Sequence, residues 1–107
     1  MSKTSLGLDE NVEALLSYLL GWITGILFFL LERESRFVRF HAVQSIIVFL
    51  SITVLQAILP ILPFLGSLFS TLLGVLAFIL WIVLMVKAYQ GEYFKLPIAG
   101  DLAEKYT

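Results

Sequence analysis

The chain predicts an all-α fold, a polytopic membrane protein built as a three-helix transmembrane bundle, and three observations carry that prediction. Residues 40–86 run for 47 positions without one Lys, Arg, Asp or Glu; Pro60, Pro63 and Gly66 interrupt that run in its middle; and residues 14–31 form a second uncharged stretch of 18. As one helix the longer run would measure about 70 Å at about 1.5 Å per residue, roughly twice the hydrocarbon thickness of a bilayer. It must therefore cross twice. Pro60 and Pro63 remove amide donors between the halves, and the segment that contains them permits a reversal.

The predicted elements follow in order: spans at about 14–31, 40–59 and 66–86, then an interfacial C-terminal tail at 88–107, all in one membrane domain. The first is expected to be a permanent helix. A cleavable secretory signal would carry positive charge where Asp9, Glu10 and Glu13 stand, and no small-x-small cleavage site follows. With 60% hydrophobic and 14% charged residues and a mean hydropathy of +0.98, the 107-residue chain lies outside the range of soluble domains. A soluble bundle is excluded because helices apolar around their whole circumference need lipid or a much larger protein around them.

Charge distribution predicts the orientation. Three spans would put the N-terminal tail and the turn at 60–66 on one side, with one basic residue, Lys3. The other side would hold six: Arg33, Arg36, Arg39, Lys87, Lys95 and Lys105. The positive-inside rule then places the N-terminus outside and the C-terminus in the cytoplasm, with the spans in the plasma membrane. A dual topology would need a balanced count. Arg33, Arg36 and Arg39, interleaved with Glu32 and Glu34, read as a solvated loop whose arginines lie near anionic lipid headgroups.

Within the spans, small and polar residues mark the candidate contact faces. Ser17, Gly21 and Gly25 recur every four residues, a small-xxx-small row that permits close helix approach, either within the chain or to a second copy. Ser70 and Gly74 form a similar face on the third span, beside Ser67 and Thr71. On the second, His41, Gln44, Ser45, Ser51 and Gln56 fall within an arc of about 140°. Polar side chains at that depth need partners or water, so the stripe is expected either to bond neighbouring helices or to line a hydrated path.

Chemistry-bearing constellations are scarce. With no Cys and a single His, the chain offers no metal site and calls for no cofactor. His41 with Ser45 is the one nucleophile and base at helical spacing, and no third orienting group accompanies it. An enzyme is therefore not expected. No nucleic-acid partner is expected; the partners are the lipid bilayer and either a second copy or another membrane protein.

Three strings carry a resemblance: Leu16-Ser17-Tyr18-Leu19-Leu20-Gly21-Trp22-Ile23-Thr24-Gly25, then Arg36-Phe37-Val38-Arg39-Phe40-His41-Ala42-Val43-Gln44-Ser45, then Lys87-Ala88-Tyr89-Gln90-Gly91-Glu92 with Leu96-Pro97. They resemble a family of small prokaryotic membrane proteins of unknown function, grouped by similarity with the membrane-embedded import component of the chloroplast inner envelope, the Tic translocon. The resemblance supplies no catalytic residues, and any role it implies falls on His41, Gln44 and Ser45. The function expected is a non-enzymatic membrane module of this Tic-like family, acting as a scaffold or assembly component. The alternative is a subunit of an oligomeric channel or protein-translocation pore.

Overall fold

Gly21 adopts φ +65°, a left-handed backbone that favours glycine, and the chain reverses there. The computed structural model describes residues 3, 4 and 6–107. It consists of α1 (Glu10–Leu19), α2 (Trp22–Leu31), α3 (Arg36–Ile58), a 3-10 turn (Leu59–Ile61), α4 (Gly66–Tyr89) and α5 (Ala99–Lys105). The all-helical expectation holds. The first expected span, 14–31, is instead two helices of 10 residues each, α1 and α2, packed as a hairpin.

Thr24 closes the tip of that hairpin. Its hydroxyl accepts from Leu20 N–H at 3.1 Å and donates to the carbonyl of Ser17 at 3.2 Å, so backbone groups freed by the break find partners. At about 15 Å, each arm is about half as long as a bilayer core is thick. The return is complete at the base: Ser35 Oγ donates to the Glu10 carboxylate, 25 residues earlier. Ser35 also caps α3, accepting from Val38 N–H at 3.3 Å.

Two helices, α3 and α4, are long and apolar enough to cross a membrane among the described residues. Pro60 and Pro63 flank the reversal as expected, and Gly66 sits where any Cβ would collide with the Leu59 carbonyl. On leaving α4 the chain runs without regular secondary structure over 92–96 before α5 packs on α3. Asn11 Nδ2 donates to the Tyr89 carbonyl at 3.0 Å, which fixes the start of α1 beside the end of α4.

Because α1 and α2 double back where one crossing helix was expected, the start of α1 lies beside the end of α4 and not at the opposite end of the molecule. The described residues before α1, the 32–35 loop and the segment after α4 lie at one end of a molecule measuring 50 × 21 × 21 Å. That end holds all seven basic and all eight acidic residues of the chain. Its core is Ala14, Tyr18, Phe37, Val38, Phe49, Leu84 and Ala88, packed by Trp22, Trp81 and Phe94. The opposite end is uncharged and apolar, with Ile61 79% and Phe64 97% exposed.

The chain lacks cysteine, so single-cysteine variants report sidedness without background. Lys3→Cys, Glu34→Cys and Asp101→Cys should label together from one face of sealed membranes with an impermeant thiol reagent, and Phe64→Cys only from the other. Labelling of Lys3→Cys together with Phe64→Cys would restore the three-span arrangement.

Candidate functional site

Helix α3 carries His41, Gln44 and Ser45 on the face covered by the hairpin and the tail, and all three are fully buried. His41 Nε2 lies 2.8 Å from the carbonyl of Glu92, which only accepts, so Nε2 holds the ring proton. Nδ1 is then an acceptor, and the Tyr18 hydroxyl donates to it at 2.6 Å. Gln44 Nε2 donates to the Tyr18 oxygen at 3.0 Å and to the Phe94 carbonyl at 2.8 Å, while its Oε1 accepts from Leu96 N–H at 3.0 Å. Edge-on aromatic packing from Phe37 and Phe40 completes the walls around the imidazole.

This arrangement binds the tail by its backbone. Gln44 grips residues 94 and 96 with acceptor and donor together, as a neighbouring β-strand would, and His41 grips residue 92. Trp81 Nε1 donates to the Tyr18 carbonyl at 2.7 Å and ties α4 to the same point. Tyr18 and Trp81 were not singled out from the sequence. The available signal was a phenol and an indole inside uncharged runs, where each polar tip needs a partner.

The remaining stripe residues do not join this site. Ser51 is exposed and donates to its own helix at Ile47 O, 2.6 Å away. Gln56 makes a two-way clasp with Ser70, donating to its carbonyl at 3.0 Å and accepting from its hydroxyl at 2.6 Å, and a Cβ on Gly74 would lie 3.3 Å from the Gln56 amide. The stripe thus divides into an inner group of His41, Gln44 and Ser45, an exposed Ser51, and Gln56 in a separate interhelical clasp.

The small-residue row packs within the chain. A Cβ on Gly25 would lie 2.9 Å from the Ala42 carbonyl, and one on Gly21 would lie 3.3 Å from Phe49 Cβ. Ser45 Oγ donates to Gly21 O at 2.8 Å. Ser17 is buried inside the hairpin with its hydroxyl on Glu13 O. Since Ser45 is committed to Gly21 and both His41 nitrogens are engaged elsewhere, the two do not pair as nucleophile and base.

At the charged end, the expected uniformly solvated loop is partly built into the fold. Arg39 donates to the carbonyls of Phe29 and Glu32, both at 3.0 Å, and its guanidinium lies over the Phe29 ring, capping the C-terminus of α2. Arg33 and Arg36 are exposed, and Arg36 lines a cavity of about 280 Å³ with Phe40, Tyr93, Glu104 and Thr107. Glu32 is buried, its Oε2 accepting from the amides of Glu34 and Ser35 at 3.0 and 2.9 Å. Buried Glu13 lies near it and accepts from the Thr4 hydroxyl. Burial above all, then the neighbouring Glu32 and Glu10 carboxylates, pushes the Glu13 carboxyl up to about 7, against the opposing Thr4 bond. No group of three His, Asp or Glu residues is placed to hold a metal ion among the described residues.

Three outcomes follow from this geometry. Gln44→Leu strands the Tyr18 hydroxyl, the Phe94 carbonyl and the Leu96 amide, and should cost about 2–4 kcal/mol in thermal or denaturant unfolding. Ser51→Ala, on the exposed face, should stay within about 0.5 kcal/mol. Because folding raises the Glu13 pKa from 4.5 to about 7, its contribution to stability is fully present below 4.5 and is lost as pH rises through about 7. Melting temperature followed over that range should fall in wild type, and Glu13→Gln should remove this part of the fall.

Comparison with known proteins places these features in a family. Residues 9–103 match the magnetosome magnetite crystal formation protein family. A UPF0132 membrane protein of Methanocaldococcus jannaschii is 62% identical over 107 residues, covering 100% of this chain and 96% of that protein. A second from the same organism is 53% identical over 102 residues, 95% of this chain and 73% of the relative. One from Archaeoglobus fulgidus is 53% identical over 98 residues, 92% and 95% of the two chains. No solved structure matches. The small prokaryotic membrane family expected from the motifs is met in these relatives, whereas its grouping with the Tic component finds no support among them.

Proposed function

This chain belongs to the magnetosome magnetite crystal formation protein family, alongside the archaeal UPF0132 membrane proteins, and from that premise we propose that it is a non-enzymatic, two-span membrane module that serves as a scaffold or assembly component. One observation carries the reading. His41, Gln44 and Ser45, three of the five residues expected as a possible lining, spend their hydrogen bonds holding the hairpin and the tail to α3, and a fourth, Gln56, is clasped to Ser70. A pore subunit would leave such groups facing water or a partner.

On this reading the end that holds the seven basic residues faces the cytoplasm, as the positive-inside rule favours. Helices α3 and α4 cross the cell membrane, and the α1–α2 hairpin enters from the cytoplasmic side and returns. The family's name speaks of magnetite crystal formation; the reading for this chain is narrower, a membrane-embedded body presenting a charged cytoplasmic platform to protein partners or further copies.

The test joins copy number to conductance. Native mass spectrometry from lipid nanodiscs fixes the oligomeric state, and planar bilayers loaded with that species should carry no current above the bare bilayer. Stepwise currents altered by Gln56→Leu would reverse the assignment in favour of the channel alternative.

A further inference from the structure

We infer that this protein is a wedge in the bilayer, wide in the leaflet beside its charged end and narrow in the other, and that it favours membrane convex toward the charged end. The inference rests on the two-span placement proposed above. The tip of the α1–α2 hairpin lies level with Phe49, where Gly21 packs, and with Trp81, which donates to Tyr18 O. From Arg39 to Phe49 α3 rises about 15 Å, half of a hydrocarbon core about 30 Å thick. Below that level four helices stand side by side. Above it only α3 and α4 continue.

Burial marks the same boundary. In α4, Leu84 and Ala88 are inaccessible, whereas Leu72, Leu76, Phe78 and Ile79 are 54–59% exposed. In α3 the buried positions end at Phe49. Leu, Ile, Val and Phe supply the large exposed side chains of the narrow half, the exposed hydroxyls of Ser51, Thr53 and Thr71 bond carbonyls of their own helices, and the Gln56–Ser70 clasp is closed within the chain. Lipid acyl chains are the occupant that such a surface takes. With each helix about 10 Å across, two additional helices expand the charged-side leaflet by about 160 Å² per molecule. A bilayer offers that imbalance most readily where its charged-side leaflet is stretched by curvature.

The experiment uses one protein in both orientations. Asp101→Cys is reconstituted without imposed orientation into phosphatidylcholine vesicles of graded diameter, where no anionic lipid attracts the charged end. An impermeant thiol reagent then counts the copies whose charged end faces outward. The outward-to-inward ratio should rise about twofold or more from the largest to the smallest vesicles, a bias of about 0.4 kcal/mol. A ratio independent of diameter overturns the wedge while leaving the two-span placement intact. Lys3→Cys, run in parallel, must report the same ratio as Asp101→Cys. Opposite trends for the two would mean that the tails lie on different sides and would overturn the placement and the wedge together.

Discussion

Gln44 donates to Tyr18, Tyr18 donates to His41, and His41 donates to the carbonyl of Glu92; the last bond sets the direction of all the others, because a carbonyl only accepts. Four chain segments meet on that line: α1 through Tyr18, α3 through His41 and Gln44, α4 through the Trp81 bond to Tyr18 O, and the tail through residues 92–96. In lipid the apolar faces of helices have no reason to prefer one another over acyl chains, so association depends on close packing and satisfied polar groups. The buried network supplies specificity that hydrophobic burial alone would not. Its members are also costly to separate, since each freed group would sit in a medium without water.

The hairpin is the second element on which the architecture turns, and it depends on two small residues at different depths. Gly21 supplies the backbone conformation that ends α1 and starts α2, and Gly25 lets α2 lie against the α3 backbone at Ala42. Thr24 then closes the tip. At the base, Arg39 neutralises the C-terminal carbonyls of α2, and the carboxylates of Glu10, Glu13 and Glu32 are gathered under the hairpin with Ser35 and Thr4.

Much of the fold was legible because lipid imposes simple rules. The long uncharged run and its prolines located α3, the reversal and α4 to within a few residues. The first span misled because 18 uncharged residues satisfy the length rule equally as one helix or as two half-length helices, and hydropathy has no term for a glycine at positive φ. The GxxxG at Gly21 and Gly25 looked like one helix face, but Gly21 stands at the break. The expected orientation rested on that same crossing, because the count of basic residues on each side depends on whether 14–31 spans. The polar stripe was legible as an alignment, whereas its division was not, because the partners of Gln44 lie some 50 residues away in a tail without periodicity.

The far turn holds no charged residue, and its most exposed side chains, Ile61 and Phe64, are apolar. A membrane protein is normally pinned at both surfaces, by charged groups or by Trp and Tyr, whose polar tips resist displacement along the bilayer normal. Here only one surface grips. The molecule is seated from its charged end like a nail held by its head, while the point follows the hydrocarbon wherever the opposite boundary lies. A thicker membrane would cover that point at little cost, whereas a thinner one would press Ile61 and Phe64 into water, so mismatch acts on such a shape in one direction.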